Sequence, residues 1–313
     1  MTSLRGRHLL SIADYTLDEL TSVLDAALRL KRQPSLVAGL AAGKTLAMIF
    51  EKPSLRTRVT FETAMTQMGG HAIYLQPSDI GIGTRETAQD VAQNLSRWVQ
   101  AIMARTFKHG TITELAQYAT VPVINALSDL EHPCQALADF LTLTEHKAYL
   151  KGRKLAYVGD GNNVAHSLML LAALVGTHFT IACPEGYDPS PEVLAQARAL
   201  AKESGAKINV VRDPVEAVKG ADALYTDVWT SMGQEEERAK RLAVFPPYQL
   251  NAALLRHAKP DAIVMHCLPA HRGEEISAEV LDGPQSVVLD QAENRLHAQK
   301  AVLALALGWV PNE

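Results

Sequence analysis

The chain has 313 residues, 47% of them hydrophobic, enough to bury a sizeable core as one large or two medium domains. A net charge of -4 and a pI near 6.3 argue against a broad basic face for nucleic acid or anionic lipid, while leaving room for a local basic pocket and small-molecule partners. Cys134, Cys183 and Cys267 are an odd set without paired metal-ligand spacing, so neither a disulfide framework nor a metal is expected. The N-terminus lacks a charged-then-apolar signal pattern, and the longest apolar run, Leu168 to Val175, is far short of the roughly 20 residues that span a bilayer. These features predict a soluble, cytoplasmic protein.

Short apolar or β-branched runs at Thr45 to Phe50, His71 to Leu75, Ala101 to Arg105 and Val121 to Asn125 are each followed by helical periodicity, which predicts a first parallel α/β unit. The helix after Ser54 places Phe61, Ala64, Met65 and Met68 on one face and meets a stop signal at Gly69-Gly70. A further helix is predicted from Thr111, with Glu114 completing a capping box.

Beyond the polar segment Glu145 to Lys154, strand-like runs recur at Lys154 to Val158, His178 to Ala182, Ile208 to Val211, Ala223 to Thr226 and Ala262 to Met265. Pro191 suits a first helical turn, and Gly176 and Gly205 suit helix ends. A final helix is predicted over Ala292 to Leu307. The two series predict an α/β protein of two doubly wound parallel-sheet domains, residues 1-147 and 148-290, with the active site in the cleft between them.

Five segments carry chemistry. Ser54-Leu55-Arg56-Thr57-Arg58 follows a strand and opens a helix, so free N–H groups, hydroxyls and two guanidiniums can converge on an anion such as phosphate; a capped helix with solvated arginines explains the same residues. His132-Pro133-Cys134-Gln135 and Arg105 can donate to a carbonyl oxygen, or serve as a cap and a strand-end ion pair. Gly159-Asp160-Gly161-Asn162-Asn163 falls short of a dinucleotide fingerprint because Val164 stands at the third glycine; its asparagines suit an amino-acid head group. Asp227-Val228-Trp229-Thr230-Ser231-Met232-Gly233 offers an anion and a hydroxyl to an ammonium group, or a turn cap, and the following Gln234 to Arg238 reads as a solvated helix start. In His266-Cys267-Leu268-Pro269, Cys267 reads as buried and inert on general grounds.

Together these segments resemble the aspartate/ornithine carbamoyltransferase family, most closely its ornithine branch, over nearly the whole chain. The resemblance implies carbamoyl-phosphate binding by Ser54, Leu55, Arg56, Thr57, Arg58, Arg105, His132, Gln135 and Arg295, with Leu55 replacing the family's threonine. It implies ornithine binding by Asn163, Asp227, Ser231, Met232, Cys267 and Leu268, and catalytic roles for Arg105, His132, Asp227 and Cys267. It places residues 291-313 back on the first domain, and it implies a homotrimer or an assembly of trimers in which the loop of Gly81 and Arg85 reaches the neighbouring subunit. Gly81 replaces a glutamine found in many relatives.

The expected reaction is direct attack of an amine on the carbamoyl carbon, within arginine- or urea-cycle-type metabolism, with no cofactor. Covalent catalysis by Cys267 is not expected, since direct attack needs no thioester. The competing readings are carbamoylation of putrescine or N-acetylornithine, an NAD-dependent dehydrogenase, and a noncatalytic relative.

Overall fold

A computed structural model describes residues 4-311, so the outermost ends of the expected domains, 1-3 and 312-313, lie outside the described residues. The chain divides into two compact units: one of residues up to Leu141 and from Glu293 onward, the other of Thr142–Ala292.

The first unit holds a four-stranded parallel sheet of β1 (Thr45–Phe50), β2 (His71–Leu75), β3 (Ala101–Arg105) and β4 (Val123–Leu127), in the order β2-β1-β3-β4. Central β1 is nearly continuously apolar because both of its faces are covered, whereas edge strand β2 alternates toward solvent. β4 begins two residues later than its sequence run, because Pro122 has no N–H for the ladder; its carbonyl still accepts from Ile102 N (2.9 Å). The sequence order reverses at β1, whose neighbours β2 and β3 leave on opposite sides, and the loop leaving β1 carries Ser54 to Arg58.

The helix Leu55–Gln67 starts on Ser54, whose hydroxyl accepts from Thr57 N (3.2 Å), and stops where Gly69 takes φ +80°. The capping box predicted at Thr111 is not formed. That helix is His109–Tyr118, without a side-chain cap at its own start; Asp129 from a following loop accepts the His109 N–H instead (2.7 Å).

The second unit holds a five-stranded parallel sheet in the order β7-β6-β5-β8-β9: β5 (Lys154–Val158), β6 (His178–Ala182), β7 (Ile208–Val211), β8 (Ala223–Thr226) and β9 (Ile263–His266). Here the order reverses at β5. β9 runs one residue beyond its predicted end because His266 pairs with Thr226. Tyr157 of β5 stacks on Tyr225 of β8, with ring centroids 5.6 Å apart in the core. Gly176 and Gly205 end their helices with φ +80°, and Pro191 opens the helix Pro191–Ser204, as their chemistry predicts.

The last helix, Val288–Ala306, starts four residues before the predicted Ala292, and the division between the units falls inside it. No described helix is long and apolar enough to cross a membrane.

Candidate functional site

In the first unit a cationic cluster forms where β1, β3 and β4 end. Thr57 is fully buried on the first turn of its helix, and Arg56 beside it is half-buried. Arg105, ending β3, and His132, opening the helix Pro133–Lys147, are 6% exposed. His132 is held well below the ordinary imidazole range, first by burial and then by the positive charges of Arg295, Arg105 and Arg56. A neutral imidazole beside three guanidiniums can donate one N–H without adding charge.

Arg295 reaches this cluster from the C-terminal helix. Its Nη1 donates to Gln135 Oε1 (2.6 Å), its Nη2 to Thr57 Oγ1 (3.2 Å) and its Nε to Gln299 Oε1 (2.9 Å). Gln299 in turn donates to Thr60 Oγ1 (2.7 Å), and Gln135 Nε2 donates to Asp139 Oδ1 (2.7 Å). Asp139 and Gln299 were missed in the sequence, although each stands four residues after a predicted site residue on the same helix, the spacing at which side chains meet.

Three other predicted residues sit differently. Arg58 donates through Nε to Glu62 (2.9 Å), with its guanidinium 4.1 Å from the centre of the Tyr74 ring, so these two partners occupy it. Leu55 exposes 75% of its surface, and its side chain adds no polar contact. Gly81 ends the short helix Pro77–Ile80 with φ +64°, and Arg85 has local partners, the Asp79 carbonyl (3.5 Å) and Glu86 (3.9 Å).

In the second unit the loops leaving β5, β8 and β9 meet. Asp227, just past β8, is buried and its carboxylate accepts from three donors: Cys267 Sγ (2.9 Å), Asn162 Nδ2 (2.8 Å) and its neighbour Val228 N (2.8 Å). Asn162 Oδ1 caps the helix Asn163–Val175 by accepting from Val164 N (3.0 Å) and Ala165 N (3.1 Å). The amide expected to suit a head group is therefore occupied by the cap and by Asp227; half-buried Asn163 follows as the first helical residue. Gly161 answers a packing need: a Cβ there would lie 2.2 Å from Pro189 N.

Ser231 and Gln234 close the next turn, with Ser231 N donating to Gln234 Oε1 (3.1 Å), and Met232 is 46% exposed. Arg241, which the sequence reading passed over, fixes this loop from behind. Its Nη1 donates to the Trp229 carbonyl (2.8 Å) and to Asp160 (2.9 Å), and its Nε to Glu237 (3.0 Å). Burial pushes the Asp160 carboxyl up to about 6 despite the Arg241 charge.

Half-buried Cys267 precedes Leu268, which has φ +58° and a cis bond to Pro269. Leu268 N donates to His266 Nδ1 (2.9 Å), so the ring proton sits on Nε2 and is donated to Glu275 Oε1 (3.0 Å). Both side chains are fully buried. Burial alone would push the Glu275 carboxyl up, but the bonds from His266 and His271 N outweigh it and hold it below its ordinary value. Asp227, His266 and Cys267 bring ligand atoms within 4.8 Å of one another, close enough for an ion, but the hydrogen bonds above already engage each of them.

The first unit thus offers a buried, cationic, donor-rich cluster suited to a phosphorylated carbonyl compound, and the second an anionic, hydroxyl-bearing loop cluster suited to an amine. Residues 7-145 match the family model for the carbamoyl-P binding domain of aspartate/ornithine carbamoyltransferase, and residues 151-306 match its Asp/Orn binding domain. The chain is 55% identical to the anabolic ornithine carbamoyltransferase of Pyrococcus furiosus, covering 99% of each chain. It is 56% identical to the ornithine carbamoyltransferase of Archaeoglobus fulgidus over 96% of this chain and 98% of that one.

Among solved structures, the Pyrococcus furiosus ornithine carbamoyltransferase superposes with a TM-score of 0.96 at 55% identity, covering 99% of this chain and all of that one. The Gloeobacter violaceus ornithine carbamoyltransferase superposes with a TM-score of 0.89 at 50% identity, covering 98% and 100%. Such agreement over two differently charged pockets leaves one membership open: the chain belongs to the aspartate/ornithine carbamoyltransferase family.

Proposed function

We propose that this chain is an ornithine carbamoyltransferase, moving the carbamoyl group of carbamoyl phosphate to the side-chain amine of L-ornithine and releasing L-citrulline and phosphate. The observation that carries the choice of acceptor is the buried Asp227 carboxylate, held by Cys267 and Asn162 beside the Ser231-Met232-Gly233 turn. An anion of this kind attracts the ammonium of ornithine, whereas a dicarboxylate acceptor would require added positive charge.

In this reading Ser54, Leu55 through its backbone, Arg56, Thr57, Arg105, His132, Gln135 and Arg295 take carbamoyl phosphate, and Arg58, engaged by Glu62 and Tyr74, adds only to the field at its edge. Arg105 and His132 donate to the carbamoyl oxygen as negative charge develops on it, which stabilises the transition state more than the ground state. Asn163, Asp227, Ser231, Met232, Cys267 and the Leu268 carbonyl take ornithine. An amine with a pKa of about 10.4 is neutral in roughly one molecule per thousand near pH 7.4, so Asp227 draws in the ammonium form, and Cys267 and the Leu268 carbonyl aim the amine once its proton has left.

The amine lone pair forms the C–N bond while the bond between the carbamoyl carbon and the bridging oxygen breaks, and the departing phosphate, which keeps that oxygen, accepts the amine proton. Arginine biosynthesis in the cytoplasm is the setting proposed, since the Pyrococcus furiosus relative is named anabolic. A homotrimer or assembly of trimers, with the loop of Gly81 and Arg85 reaching a neighbouring subunit, completes the proposal.

The test is to supply carbamoyl phosphate with L-ornithine, putrescine, N-acetylornithine or L-aspartate and to measure carbamoylated product and phosphate together. Equimolar citrulline and phosphate with ornithine alone supports the reading. Turnover only with another amine overturns the choice of acceptor. Light scattering of the purified protein tests the trimer.

A further inference from the structure

We infer that Asp139 is a specificity-determining positioning residue: it fixes the amide of Gln135 so that an oxygen faces the carbamoyl site, favouring a donor that bears N–H over one that bears methyl. The inference rests on the reading that Gln135 contacts the carbamoyl group. Its physical basis is a chain of buried hydrogen bonds in which every polarity is forced.

Asp139 lies one helical turn beyond Gln135, and both are buried, 0% and 1% exposed. An ionised carboxylate can only accept, so the Gln135 side chain must turn its NH2 toward Asp139 Oδ1, at 2.7 Å. A guanidinium can only donate, so the other end of the amide, Oε1, must face Arg295 Nη1, at 2.6 Å. The two partners therefore specify the same orientation, leaving no ambiguity about which end is oxygen.

Arg295 is itself held by Gln299 and Thr57, which keeps the acceptor of its Nη1 in one place. Gln135 Oε1 has a second lone pair beyond the one Arg295 uses, and in the proposed reading it is this one that the carbamoyl group meets. A carbamoyl NH2 can donate to that lone pair; an acetyl methyl cannot, and would bury it unpaired. Without Asp139 the Arg295 bond still draws Oε1, but the amide loses the anchor on its NH2 end and can tilt, which moves the second lone pair off the carbamoyl group and weakens this distinction.

The test compares acetyl phosphate, as a competitive inhibitor against carbamoyl phosphate, with the KM of carbamoyl phosphate itself. The readout is the ratio of acetyl phosphate Ki to carbamoyl phosphate KM in the wild type, Asp139→Asn, Asp139→Ala, Gln135→Ala and the Asp139→Ala/Gln135→Ala double variant. Inorganic phosphate Ki reports on the cationic cradle, and Asp139→Asn preserves side-chain shape if the alanine variant folds poorly.

The expected result is that the ratio narrows on the order of tenfold or more in each single variant, with phosphate Ki unchanged in the two Asp139 variants and the double variant no worse than Gln135→Ala alone. A ratio unchanged in Asp139→Asn but collapsed in Gln135→Ala overturns the role of Asp139 while leaving Gln135 in contact with the donor. A ratio unchanged in Gln135→Ala overturns the contact itself, and the inference with it. Additive losses in the double variant would show Asp139 acting independently of Gln135 and would also overturn it.

Discussion

Cys267 Sγ lies 2.9 Å from Asp227 Oδ1, with the thiol donating to the carboxylate. This pairing orients both groups at the mouth of β8 and β9, and it makes the sulfur a hydrogen-bonding partner instead of a nucleophile in waiting. Cys267→Ser keeps a donor of smaller radius and is expected to retain most turnover. Cys267→Ala should raise ornithine KM on the order of tenfold, the cost of one charge-assisted bond. Mass spectrometry of acid-quenched enzyme should detect no carbamoylated protein; a stoichiometric adduct on Cys267 would sink this account.

Asp227→Asn should be far more damaging than either cysteine variant, because the amide removes the charge that, in the proposed function, draws the ornithine ammonium. A loss of about 100-fold or more in kcat/KM for ornithine is expected. Steady-state titration of ornithine at saturating carbamoyl phosphate provides the check.

His132→Ala should lower kcat about 100- to 1000-fold, as for the loss of one oxyanion donor, while product inhibition by phosphate stays near the wild-type value. Unchanged kcat would remove His132 from the chemistry.

Arg56 and Arg58 should separate cleanly. Arg56 contributes to the positive field at His132, whereas Arg58 is engaged by Glu62 and Tyr74. Arg56→Ala is therefore expected to weaken phosphate inhibition about tenfold or more, and Arg58→Ala only about two- to threefold, in line with an exposed ion pair. Equal losses would show that Arg58 swings into the pocket when the substrate binds.

Stability should decline as pH falls from about 6.5 toward 5, measured by denaturant unfolding in closely spaced buffers. His8, His109, His132 and His297 are all held below the ordinary imidazole value, chiefly by burial, so over this window the unfolded chain takes up protons that the folded chain does not. Protonation thus favours unfolding. Asp160, raised to about 6, works in the opposite direction, since the folded chain there binds the proton more readily. His132→Asn should flatten the acid slope and Asp160→Asn should steepen it.

The sheet-forming runs were legible because parallel strands covered on both faces must be nearly all apolar, and β1, β3 and β5 to β8 lie where that pattern places them. β4 and β9 slipped by one or two residues for reasons of partner and proline that a single strand does not display. Ser54, His132 and Asp227 were legible because each sits where a strand hands over to the next segment. The supporting residues were not. Asp139, Gln299 and Arg241 are polar residues on helices, indistinguishable in sequence from solvated ones until their partners are known. The split use of Asn162, half cap and half brace for Asp227, was hidden for the same reason.

That dual engagement of Asn162 decides what the loss of its amide nitrogen would do. Deamidation would turn the side chain into an aspartate, which caps a helix as well as asparagine does, so the helix start itself would survive. The other end of the side chain would change from a donor into a second carboxylate facing Asp227, where the structure has a 2.8 Å hydrogen bond. One of the two anions would shed its charge by binding a proton or move away, and the amine pocket would lose its shape. Molecules altered in this way would keep the cationic cluster of the other unit intact, yet no longer hold their acceptor.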